Sequence, residues 1–140
     1  MKNIFIDTNV IIDFLGNRES FSNSATELFD LYADNKKKIF VSATSYTNVY
    51  YLLYNQIKSN KTVISLLSTL FEITELIDTN NNIISQSLHS EFLDFEDAIQ
   101  FYAALSNKKI EIIVSRDKKG FKKSTLPVMD VEQVLRVCLQ

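Results

Sequence analysis

Three groups of acids fall where an apolar run gives way to polar chain. Asp7 interrupts Ile4-Phe5-Ile6-Asp7-Thr8-Asn9-Val10-Ile11-Ile12-Asp13-Phe14-Leu15 after only three apolar residues. Asp117 closes Val114-Ser115-Arg116-Asp117, just beyond the run Ile110-Glu111-Ile112-Ile113-Val114, and Asp94, Glu96 and Asp97 crowd a third break. Two carboxylates about 4 Å apart repel by roughly 4 kcal/mol at an effective dielectric near 20. A cluster of them therefore calls for a cation or for protons. Ligation by oxygen alone suits Mg²⁺ or Mn²⁺, and the lone His89 and Cys138 add no pattern for a softer metal. A hard dication at an open site binds a phosphate oxygen and makes a water more acidic, which is the chemistry of phosphodiester hydrolysis or a related phosphoryl transfer. No Gly-rich phosphate loop accompanies the acids, which disfavours nucleoside triphosphates.

Each acid taken singly also has a structural explanation. Asp7 can cap a helix N-terminus, worth about 1 kcal/mol. Asp94 and Asp97 have capping spacing, and Glu96 would favour the positive end of a helix dipole. Asp117 can accept backbone hydrogen bonds in a turn. Only convergence on one rim separates the chemical reading from these, so the elements that carry the acids decide the matter.

Short apolar runs alternate with helical periodicity along the chain. Strands are expected at Ile4–Ile6, Ile39–Val41, Glu75–Ile77 and, most clearly, Ile110–Val114, with a short run at Leu126–Met129. Helices are expected from Val10 to a left-handed cap at Gly16, over 21–35 with Ala25, Leu28, Phe29 and Tyr32 on one face, along SATSYTNVYYLLYNQI, and over 61–72. Three more follow: Asn80 to about Leu88, Asp94 to about Leu105, and a C-terminal helix from about Val131. The alternation predicts an α/β fold, a three-layer α/β/α sandwich around a mostly parallel sheet of four to five strands. Ligands of such sheets bind beyond the carboxyl ends of the strands, which is where Asp7 and Asp117 fall.

The 140 residues fit one domain, 1–140, and two glycines and one proline leave no flexible linker. A hydrophobic content of 46% with 23% charged residues is that of a globular protein, and neither a signal peptide nor a membrane span is expected. One cysteine excludes an internal disulfide and fits a reducing cytoplasm. The net charge of −2 is not that of a basic protein, yet lysines gather at 36–38, 108–109 and in KKGFKK (118–123), where they could attract a phosphate backbone.

Asp7-Thr8-Asn9 after the first strand, Asp94-Phe95-Glu96-Asp97-Ala98 opening a late helix, and Ser115-Arg116-Asp117 after the next strand resemble the PIN-domain nucleases, in order and over nearly the whole chain. The resemblance extends to the VapC-like toxins, metal-dependent endoribonucleases paired with an antitoxin. It implies RNA cleavage with Mg²⁺ or Mn²⁺, an antitoxin partner and a homodimer. By the same resemblance Asp7, Asp97 and Asp117 are metal ligands, with Glu96 as a further acid and Thr8, Asn9 and Ser115 as orienting polar residues. The family usually has a Glu in the helix after the second strand, where this chain has Asn48. An Asn carbonyl supplies no charge, so either Glu96 compensates or the fold is kept as an RNA- or protein-binding module with weakened chemistry. Arg116, Lys118, Lys119 and Tyr51 are expected RNA contacts, while Tyr46, Tyr50 and Tyr54 share a stripe that should pack.

A haloacid-dehalogenase-type phosphatase needs a second acid where Asn9 stands, and a phosphoacceptor receiver needs a mid-chain Asp after a central strand that is not evident. Apolar residues around Phe21–Tyr32 or Val134–Leu139 could serve an interface or the core. Crowding of Asp7, Asp97 and Asp117 further predicts that Asp7→Asn leaves the metal-free fold unharmed or slightly firmer.

Overall fold

The computed structural model describes residues 1–138. Five parallel strands form one sheet in the order β3-β2-β1-β4-β5. They are β1 (Ile4–Ile6), β2 (Ile39–Ser42), β3 (Thr74–Ile77), β4 (Ile112–Val114) and β5 (Val128–Met129). Among the described residues seven helices connect and cover them: α1 (Thr8–Leu15), α2 (Ser22–Asp34), α3 (Ala43–Ile57), α4 (Asn60–Ile73), α5 (Asn81–Leu88), α6 (Phe95–Leu105) and α7 (Val131–Cys138).

Side-chain alternation along the strands divides the core into two layers. Ile4, Ile6, Ile39, Val41, Ile112 and Val114 face a cluster completed by Val10, Leu28, Val49, Leu70 and Val134 from α1, α2, α3, α4 and α7. Phe5, Phe40 and Ile113 face the opposite cluster, with Ile83 of α5, Phe101 of α6 and Phe121. This is the expected three-layer sandwich, and strands buried on both faces explain the near-continuous apolar runs.

Some details differ from expectation. β4 starts at Ile112, because the amide of Ile110 closes a turn onto Asn107 and that of Glu111 bonds Asn3 across 2.9 Å. The run at Leu126–Met129 supplies an edge strand, a position that tolerates Pro127, whose carbonyl accepts from the Ile113 amide. Gly16 ends α1 with φ −85°, not in the left-handed region. A β-carbon there would stand 2.7 Å from the Ile12 carbonyl oxygen, so it is close approach, not handedness, that calls for glycine. Lys58, at φ 60°, supplies a left-handed cap instead, to α3. Leu139 lies outside the described residues.

The register fixes the site. Phe5 pairs with Ile113 and Ile6 with Val114, and the Asp7 amide donates to the Val114 carbonyl across 2.9 Å. Strand order reverses at β1, since β2 lies on one side and β4 on the other. The carboxyl ends of β1 and β4 therefore open a crevice at the switch point.

Candidate active site

Asp7, the residue after β1, is buried and caps α1. Its Oδ1 accepts from the Thr8 amide at 2.9 Å and from the Gln100 side-chain amide at 3.1 Å. Its Oδ2 accepts from the Ser115 hydroxyl at 2.9 Å and the Asn9 side-chain amide at 3.3 Å. Cap and cluster member are thus compatible roles. Burial pushes the Asp7 carboxyl above its usual range; the bonds from Gln100, Ser115 and Thr8 oppose this, and the charge of Asp117 adds to it.

Asp94 caps α6, accepting from the Asp97 amide at 3.0 Å, as the spacing predicts. This turn presents Asp94, Glu96 and Asp97 to the same rim. Partial burial, then the charges of Asp7, Asp94, Asp117 and Glu96, push the Asp97 carboxyl up to about 7. Glu96 is exposed as a residue, but desolvation of its carboxyl followed by the charges of Asp7 and Asp94 raises it too, with the Asn48 side chain opposing. The Asn48 side chain therefore lies beside the Glu96 carboxyl.

Asp117 lies in the turn after β4, where its Oδ1 accepts from the Gly120 amide at 2.9 Å. A β-carbon on Gly120 would stand 2.5 Å from Asp117 Oδ2, and closer still to Asp97 Oδ2. The two carboxylates close over the bare glycine, near one another. Asp7, Thr8, Asn9, Asp94, Glu96, Asp97 and Asp117 line one cavity of about 270 Å³, with Ile12, Arg18 and Leu52. Among the described residues no three acids stand close enough to enclose a cation outright. The hollow is shared, but it is looser than mutual crowding of Asp7, Asp97 and Asp117 predicts, because protein donors already fill both oxygens of Asp7. Its donor set, oxygen throughout, suits a hard dication.

The same four donors change the expectation for Asp7→Asn. An Asn there would turn its NH₂ towards two of them, a cost that opposes the relief of removing a buried charge. Ser115 is buried, and its hydroxyl bridges Asp7 and the Asp117 amide. Thr8 bonds the Ser45 hydroxyl at 3.0 Å, and Asn9 reaches Ser115. Arg116 points to a different cavity: it grips buried Asp13 through bonds of 2.8 and 3.2 Å, under the ring of Phe21. Lys118 pairs with Asp130 at 3.6 Å. Lys119 lines a hollow beside the acids. Tyr51 is exposed on α3, Tyr50 and Tyr54 stack on each other, and His89 caps α5.

Sequence reasoning misses Gln100, fully buried one turn beyond Asp97. Its amide nitrogen donates to Asp7 and, at 2.8 Å, to Ser45; its carbonyl accepts from Ser42. The available signal is a polar residue inside Ala98-Ile99-Gln100-Phe101, where helical spacing demands a core residue. Arg18, a cation lining the acidic cavity, is likewise missed, because it sits in a loop without periodicity.

Residues 3–119 match the sequence family described as PIN domain. No curated protein matches the chain in sequence. Among solved structures it is similar to DNA-bound VapBC from Salmonella typhimurium, at 14% identity and a TM-score of 0.71, covering 94% of this chain and 99% of that one. It is also similar to VapBC2 from Rickettsia felis bound to a promoter DNA fragment, at 16% identity and a TM-score of 0.67, covering 91% and 96%. A third likeness is to VapC20 of Mycobacterium tuberculosis, a toxin that cleaves the sarcin-ricin loop, at 18% identity and a TM-score of 0.63, covering 79% and 87%. At these identities the likeness is one of fold.

Proposed function

This chain belongs to the PIN-domain family, and from that premise we propose that it is a metal-dependent endoribonuclease, the toxin of a toxin–antitoxin pair acting in the cytoplasm. The observation that carries the reading is the single cavity lined by Asp7, Asp94, Glu96, Asp97 and Asp117, in which burial and the neighbouring acids push the Asp97 carboxyl up to about 7. Asp7, Asp97 and Asp117, with Glu96 beside them, would hold Mg²⁺ or Mn²⁺. When bound, such an ion supplies positive charge to a phosphate oxygen and makes an attacking water more acidic.

The chain's own residues set the stage for that chemistry. Gln100, Ser115 and the Thr8 amide hold Asp7 in one orientation. Asp97 is the carboxyl that must give up a proton near neutral pH before it can ligate. Glu96, beside Asn48, supplies the charge that Asn48 lacks. The fold neighbours solved as VapBC assemblies support an antitoxin partner. For that partner or a second copy, α4 offers exposed Ile64 and Phe71 around a hollow of about 440 Å³.

The test is cleavage of a labelled RNA. Mn²⁺ should support it, EDTA should stop it, and re-added Mn²⁺ should restore it; Asp97→Asn should abolish it. Asn48 favours a second reading, a PIN-fold binding module with lost chemistry. That reading predicts RNA retention that survives EDTA with no cleavage under any metal.

A further inference from the structure

The acidic cavity does not stand alone. Through Asp94, Asp97 and Asp117 it is continuous with a hollow of about 360 Å³ lined by Phe92, Leu93, Lys119, Lys122 and Lys123. On its other side Arg18 is shared with a third hollow of about 420 Å³, walled by Asn17, Glu19 and Ser20 and by Ser22 and Asn23 at the start of α2. Together they make one trough with acids in its middle, three lysines at one end and Arg18, next to Glu19, at the other.

The cations of this region fall into two groups. Arg116, Lys118 and Lys123 are paired with Asp13, Asp130 and Glu91. Arg18, Lys119 and Lys122 have no ion-pair partner among the described residues. The unpaired cations are thus spread along the trough, and they flank the acids on both sides. Leu93 is 93% exposed at the lip of the lysine hollow, an apolar surface with no partner of its own.

We propose that a single strand of RNA lies along this trough, with the phosphates flanking the acid cluster held by Arg18 at one end and by Lys119 and Lys122 at the other. The proposal rests on the ribonuclease reading and adds to it the path of the substrate. A strand laid across the acids brings one phosphate to the carboxylates, where the negative charge needs a dication. It brings its neighbours to fixed positive charge, which supplies affinity without reading sequence. Leu93 offers an apolar face to an unstacked base beside the lysines, an arrangement that a duplex, with its bases turned inward, does not use.

Anisotropy of a short fluorescein-labelled single-stranded RNA, titrated in EDTA between about 50 and 200 mM salt, tests the path. Each lost phosphate contact should lower the slope of log affinity against log salt by about 0.7. Arg18→Ala should therefore lower it by about 0.7 and Lys119→Ala/Lys122→Ala by about 1.4. Lys36→Ala/Lys38→Ala, ahead of β2 at the opposite end of the sheet, should leave it unchanged. Leu93→Ser should weaken binding at every salt concentration without altering the slope. RNA that does not bind, unchanged slopes for the Arg18 and Lys119/Lys122 variants, or an equal drop for the Lys36/Lys38 control would each overturn the path. Cleavage by the unaltered protein in Mn²⁺ is scored separately: its absence removes the ribonuclease reading whatever the slopes show, while cleavage with unchanged slopes removes only the path.

Discussion

The side-chain amide of Gln100 donates to Asp7 Oδ1 across 3.1 Å, tying the interior of α6 to the residue that follows β1. The same side chain engages Ser42 and Ser45, so one fully buried amide locks together three segments beneath the acids.

Gln100→Leu removes that lock. Orphaned buried hydroxyls and a lost donor to a carboxylate should lower stability by about 1–3 kcal/mol. Because the Gln100 bond holds the Asp7 carboxyl down, its loss should also move the pH at which Mn²⁺ begins to stabilise the protein upwards. Gln100→Glu, similar in size but charged, should be worse on both counts. Melting curves with and without Mn²⁺ between pH 5 and 8 check this; an unmoved metal-linked profile would limit Gln100 to packing.

Asp97 gives stability a defined dependence on pH. Its carboxyl is raised from 3.8 to about 7, so the folded state binds a proton that the unfolded state has already released. The resulting stabilisation is full below pH 4 and lost as the pH climbs towards 7. In EDTA, Asp97→Asn should match the parent near pH 4 and melt higher by about 3 °C at pH 8. A variant that melts lower at pH 8 would mean that the acids do not repel as described.

A saturating dication should reverse that order. At about 100 times its dissociation constant it adds roughly 2.7 kcal/mol to the parent protein, while Asp97→Asn should gain little. Uptake should release protons around neutral pH, since Asp97 must ionise to ligate. Calorimetry in two buffers of different ionisation enthalpy would detect them, and binding without proton release would place the ion elsewhere.

Gly120→Ala tests how closely Asp97 and Asp117 approach. The added carbon meets the carboxylates of Asp97 and Asp117, the second of them held by the Gly120 amide, so the fold should lose about 1–3 kcal/mol. The carboxylates must part, however, and the thermal shift produced by Mn²⁺ should shrink several-fold. An unchanged shift would show that the two do not share an ion.

Arg116→Ala should act on the fold. It leaves the buried Asp13 charge unpaired, a loss of about 3–5 kcal/mol in comparable cases. Were Arg116 chiefly an RNA contact, the variant would melt like the parent and lose only affinity.

Much of this was legible in the residue pattern, for physical reasons. Short apolar runs followed by Asp or Ser mark strands that end at a crevice, which puts Asp7, Ser115 and Asp117 at the carboxyl ends of β1 and β4. Asp94 and Asp97 carry their own capping signature. The partners that tune them were not legible. Gln100 lies 93 positions from Asp7 in the chain and Ser45 lies 55 from Gln100, and nothing local in a sequence reports that such side chains meet. The partner of Arg116 was hidden for the same reason, because Asp13, 103 positions away, looks like an ordinary helix acid until the fold buries it. The left-handed cap assigned to Gly16 failed differently: glycine also answers a need for room, and sequence does not separate the two.

The place of β1 between β2 and β4 has a consequence for the newborn chain. Asp7 leaves the ribosome before Ser115, which orients it and follows 108 residues later. At about 5–20 residues per second the interval is roughly 5–20 s. Throughout that time the central strand lacks a neighbour and the pocket lacks its third wall. The pocket that Asp7 anchors therefore closes only once β4 and the turn that follows it have joined the sheet.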